Sequence, residues 1–184
     1  MVNLAARTIG LALALLSPAA SAESIESVYT SLKLELCENV TPPEEAEHGG
    51  TFRCKGLGDT DVRVAEGDLR MFVSYGPDAA TQTAAHQTLP DFNTIGETLE
   101  WRLAHGEPFA TILRFRWDSD GAKGSTLVVT KLGEEDACHV AYVMATGNPN
   151  ANTHARKIAD GQVREFVCER DRPRTYGPDG EQID

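Results

Sequence analysis

Between Leu99 and Trp117 the chain alternates apolar and polar side chains with a period of two. Leu99, Trp101 and Leu103 alternate with Glu100 and Arg102; Phe109, Thr111, Leu113, Phe115 and Trp117 alternate with Arg114 and Arg116. Only an extended strand puts every second residue on one face, so this period specifies two half-buried strands. His105-Gly106-Glu107-Pro108 turns the chain between them, which predicts an antiparallel hairpin with its tryptophans facing a core.

The same signature recurs along the chain. Strands are predicted around 32–36 (Leu32, Leu34, Leu36), 52–54, 62–64, 69–75, 125–132 and 138–145, with turns at Glu66-Gly67-Asp68, 118–124 and 133–136. That makes about eight strands, mostly joined as hairpins and therefore mostly antiparallel. One segment follows a helical period: Ala151, Ala155, Ile158 and Ala159 form an apolar stripe, with Asn148 as the expected N-cap and Pro149 as the first helical residue. The stripe continues through Val163, Phe166 and Val167. The last strands are apolar on both faces, so the helix is expected to cover one of them. The expected class is α+β, a mostly antiparallel sheet of about eight strands with one C-terminal helix packed on it. Three segments read as irregular: the acidic loop 38–50, a long connection 76–96 with a short helix near Ala79 to His86, and a tail 171–184 expected to be disordered.

Residues 1–22 read as a secretory signal peptide, with Arg7 before the apolar run 9–16 and Ala20-Ser21-Ala22 as the cleavage site. The uncharged stretch between Arg7 and Glu23 is 15 residues long, where a spanning helix needs roughly 20. No membrane span is therefore expected after cleavage, and residues 23–170 form a single β-rich domain in a periplasmic or secreted protein. Export gives the cysteines their meaning. Cys37, Cys54, Cys138 and Cys168 all lie beyond the leader, and an even number in an oxidising compartment implies disulfides. Three pairings are possible; proximity in sequence favours Cys37–Cys54 and Cys138–Cys168. Zinc is the competing use, but no C-x2-C pair exists to begin such a site.

A formal net charge of −11 excludes the basic face that phosphate backbones and anionic lipid require. No catalytic constellation emerges either: the chain has no G-x-S-x-G elbow, H-E-x-x-H, phosphate loop or dinucleotide fingerprint, and no cofactor is expected. The five histidines (His48, His86, His105, His139, His154) are scattered and read mainly as surface residues, although His139 and His154 would meet if the helix lay beside its preceding strand. Asp118-Ser119-Asp120-Gly121 has half of a calcium loop but also the composition of a plain turn. Asn148, Asn150 and Asn152 do not share one helix face, and helix capping accounts for them better than a ligand does.

One patch stands out. Glu100, Arg102, Arg114 and Arg116 fall on one face of the predicted hairpin, opposite the tryptophans. The simplest reading is a solvated sheet face with cross-strand ion pairs. The functional reading is a site in which Arg102, Arg114 and Arg116 hold an anionic group, because guanidinium forks match carboxylates and phosphates.

The succession EGDLRMFVSYG (66–76), LEWRL (99–103), PFATILRFRW (108–117), LVVTKLG (127–133), ACHVAYV (137–143) and NPNANTHARKIAD (148–160), with its C-x16-C spacing, resembles a family of exported alphaproteobacterial proteins of unknown function. The resemblance spans most of the chain after the leader. It implies export and a cysteine framework, and it carries no catalytic residues.

Two kinds of function are compatible with these features. The first is a non-catalytic periplasmic binding or accessory domain whose partner is an envelope protein or a small anionic ligand. An inhibitor of a basic cell-wall hydrolase is one form of it, because an acidic domain steers a cationic partner. The second is a periplasmic enzyme whose acid/base residues are assembled from loops. A deep pocket with converging carboxylates or histidines would favour the enzyme.

Overall fold

The two alternating runs form the spine of a six-stranded sheet. The structure is a computed structural model that describes residues 24–183, so the expected leader peptide lies outside the described residues. The strands are β1 (Ile25–Ser31), β2 (Glu38–Asn39), β3 (Gly49–Lys55), β4 (Asp61–Gly67), β5 (Arg70–Tyr75), β6 (Phe92–Ala104), β7 (Glu107–Ser119), β8 (Ala122–Leu132), β9 (Ala137–Met144) and β10 (Arg174–Tyr176); the α-helix α1 spans Ala151–Gln162. The large sheet has the order β1-β6-β7-β8-β9-β10, and a smaller sheet has the order β2-β3-β4-β5. Every pairing is antiparallel except β9 with β10.

The expected α+β class therefore holds, with the strands divided between two sheets. The tryptophan face of β6 and β7 packs against the small sheet: Leu99, Trp101, Leu113 and Phe115 meet Val62, Val64, Val73 and Tyr75 in one buried cluster. Tyr75 sits edge-on to Trp101, their ring centroids 5.8 Å apart, and its hydroxyl accepts a 2.8 Å hydrogen bond from Thr111. The opposite face carries α1. Ala151, Ala155, Ile158 and Ala159 pack on Ala110, Ile112, Leu127, Val129 and Val143. Both faces of the central strands are thus covered, which is why Leu127, Val128 and Val129 in β8 and Val140 and Ala141 in β9 are apolar without alternation.

Three local expectations change. The first strand lies at 25–31 rather than 32–36. Its register along β6 runs from Ile25↔Ala104 to Ser31↔Thr98, whereas Leu34–Leu36 is a 3-10 turn. An edge strand with a mixed face, IESVYTS, leaves little period-two signal. The expected short helix near Ala79 to His86 is a 3-10 turn at Thr83–His86. Helix α1 begins at Ala151, with Asn150 in the capping position, and the Asn148 side chain instead accepts a 2.9 Å bond from the Asn150 amide.

The tail is the largest correction. Residues from Asp171 were expected to be disordered, yet Arg174–Tyr176 adds β10 beside β9. Tyr176 is buried in the helix-side core, and its hydroxyl accepts a 3.1 Å bond from Gln162. Gly180 sits against the His154 ring, where a Cβ would fall 2.1 Å from Cε1. Proline, glycine and charge disguise a segment held by one docked aromatic ring and backbone pairing.

Two disulfides join Cys37 to Cys54 and Cys138 to Cys168, across separations of 17 and 30 residues. The first ties the start of the small sheet to β3, and the second ties the segment after α1 back to β9. Closing loops of this length stabilises by about 3 kcal/mol each through chain entropy. The Cys138→Ser, Cys168→Ser double variant is therefore expected to lose about 3 kcal/mol in urea unfolding. A loss under ~1 kcal/mol would show that the helix is held by packing alone.

Candidate functional site

The arginine face predicted from the hairpin exists, but α1 lies across part of it and divides it into two kinds of residue. Glu100 and Arg102 are each only 6% exposed, which corrects their expected place on a solvated face. The Arg102 guanidinium makes a two-pronged pair with Asp160 on α1, at 2.9 and 2.7 Å, and also donates to the Ser27 hydroxyl. Glu100 accepts from Arg156 Nε at 2.6 Å and from Ser27; Arg156 further donates to the Tyr29 hydroxyl at 3.0 Å. These charges join β1, β6 and α1. Arg102 is a structural strut with its donors committed, and the structure does not bring it into a ligand site with the other two arginines.

Arg114 and Arg116 differ. Arg114 is half-buried and donates to Ser125 Oγ at 3.0 Å, and Arg116 is exposed and donates to the Ile95 carbonyl at 3.3 Å. Neither forms an ion pair among the described residues. Partial burial and the neighbouring Arg116 charge lower the Arg114 pKa. Both line a cavity of about 330 Å³ walled by Tyr29, Thr98, Ile112, Leu127, Asn152 and Arg156.

A bulge in β6 opens that cavity. Ile95 pairs with Phe115 and Leu99 with Leu113, so Gly96, Glu97 and Thr98 all face Arg114 alone. The Glu97 carbonyl accepts from the Leu32 amide at 2.8 Å, which holds the bulge in place. Bulges of this sort re-aim side chains and end regular pairing, and they occur disproportionately beside binding sites. Of the carboxylates at the cavity, Glu100 is engaged by Arg156 and Glu97 lies 3.7 Å from Lys33. The remaining net charge of the cavity is positive.

Sequence reasoning missed Arg156 and Asp160. Their signal was present: Asn152, Arg156 and Asp160 recur every four residues, a polar stripe flanking the apolar one, and such a stripe meets the charged face of a strand when the helix lies along it. His139 was expected at the surface and is instead 1% exposed. Its Nδ1 lies 3.0 Å from the Tyr142 hydroxyl, and burial lowers its pKa to about 3. His154 lies against Gly180 instead. No cluster of His, Cys, Asp or Glu suited to a metal ion is present among the described residues, and no helix among them is long and apolar enough to cross a membrane. Comparison of the chain with protein-family models, with curated proteins and with solved structures finds no match.

Proposed function

We propose that the protein is an exported, non-catalytic binding protein that takes an anionic group at Arg114 and Arg116. The observation carrying this reading is a pair of guanidinium groups that form no ion pair among the described residues, in a chain of net charge −11. Two like charges two residues apart on one strand face repel each other, and the half-buried Arg114 is also partly desolvated. A bound carboxylate, phosphate or sulfate relieves both penalties and fits the guanidinium forks. The bulge and α1 wall the space in which such a group would sit. Two disulfides, and no free cysteine among the described residues, support an oxidising compartment.

The test is calorimetry against acetate, inorganic phosphate and sulfate at two salt concentrations. Arg114→Ala is expected to weaken binding about tenfold or more, most strongly at low salt where Coulomb attraction is least screened. The same substitution is expected to leave the unliganded protein as stable as before, or slightly more so, because it removes the repulsion from Arg116. Wild-type protein that binds none of these anions, or binds them with an affinity indifferent to Arg114, would sink the proposal.

A further inference from the structure

Arg116 also lines a second, larger and more apolar cleft. It has a volume of about 570 Å³, within the range of small-molecule sites, and lies at the end of the sandwich where the β4–β5 and β7–β8 hairpins turn. Leu69, Met71, Phe92 and Trp117 supply its apolar lining. Leu69 is 62% exposed and Phe92 54%, so two large apolar side chains converge there at a cost in water exposure.

Leu69 also stands against its backbone preference. Asp68 and Leu69 both have positive φ, 53° and 59°, in a two-residue hairpin turn that ordinarily takes Asn-Gly. A bulky residue in that conformation is unusual and costs energy, and such positions gather at ligand sites. The turn is held there from several sides. The Leu69 carbonyl accepts from the Asn93 amide at 2.9 Å, its amide donates to Glu66 at 3.2 Å, and the buried Asn93 side chain accepts from the Met71 amide at 3.0 Å. The Trp117 ring lies over Gly124, where a Cβ would fall 2.2 Å from Cζ2, and so forms an aromatic wall.

The charges of the cleft leave one candidate head-group partner. Lys123 is paired with Asp118 at 2.6 Å, and Glu66 is engaged at the Leu69 turn. Arg116 has no counter-charge among the described residues and borders both spaces. We infer that the ligand is a single-chain amphiphilic anion, its head group at Arg116, which borders both spaces, and its apolar chain in the cleft of Leu69, Phe92 and Trp117. This rests on the anion site proposed above and adds the chemical class of the ligand.

The probes are acetate, dodecanoate and dodecanol, titrated into the full disulfide-bonded protein. Dodecanoate is expected to bind at least a hundredfold more tightly than acetate, since each buried methylene adds to affinity. Leu69→Asn suits the positive φ of the turn, and Phe92→Ser removes only an exposed ring, so both variants should fold. Each is expected to weaken dodecanoate about tenfold and leave acetate unchanged, whereas Arg114→Ala weakens both. Dodecanoate binding no tighter than acetate overturns this inference and leaves the anion site standing. Dodecanol binding as tightly as dodecanoate, with Arg114→Ala indifferent, overturns both.

Discussion

Arg102→Ala is expected to lower stability by about 3–5 kcal/mol, the range for breaking a buried ion pair by removing one partner. For a domain of this size that is a drop in thermal midpoint on the order of 10 °C. Asp160 would lose a two-pronged partner, and Glu100, buried at 6% exposure, would keep Arg156 as its ion-pair partner and the Ser27 hydroxyl as a donor. The penalty comes from stranded charge, so an apolar exchange of both partners should be milder. Arg102→Met combined with Asp160→Leu is expected to recover much of the loss, because well-packed apolar pairs often match buried ion pairs in stability. Thermal unfolding of Arg102→Met, Asp160→Leu and the double variant measures the coupling directly. Independent, additive losses would show that the strut between β6 and α1 contributes nothing as a pair. Arg114→Ala is the contrasting case, with little effect on stability and a large one on binding.

Stability is expected to fall steeply in mild acid, and His139 is the cause. Its folded pKa, near 3, is far below the unfolded value of about 6.5. Between those values the unfolded chain binds a proton that the folded chain refuses, so acid favours unfolding. The contribution is whole above pH 6.5, declines by about 1.4 kcal/mol per pH unit below it, and levels off near pH 3, where the folded chain also takes the proton. The full span is about 4–5 kcal/mol. Asp118 and Asp171 have lowered pKa values through Lys123 and Arg170. They act only as pH falls through the carboxylate range, so the window from pH 6.5 to 4.5 isolates the histidine. Urea unfolding at stepped pH gives the slope. His139→Gln is expected to be less stable at neutral pH and much flatter across that window. An unchanged slope in the variant would assign the acid sensitivity elsewhere.

The local pattern of residues determined the strands and the covering helix. Period-two runs such as 109–117 and the stripe Ala151, Ala155, Ile158, Ala159 dictate which face is buried, because a one-residue slip would expose the whole apolar set. The two disulfides also followed from local spacing, since neighbours in sequence pay the smallest closure entropy. What covers each face was not local. The small sheet meets the tryptophans across more than twenty residues of chain, and the tail is held by Tyr176 in the helix-side core and by the pairing of β10 with β9. The arginine face shows the same division. Alternation placed Arg102, Arg114 and Arg116 together, and it could not distinguish them. The helix did: Asp160 and Arg156 reach β6 from α1 and bury Arg102 and Glu100 as partners, while a bulge of three residues keeps Arg114 and Arg116 open. Strand period sets the direction of a side chain, but its charge balance depends on which distant element comes to rest above it, and that is decided only when the layers pack.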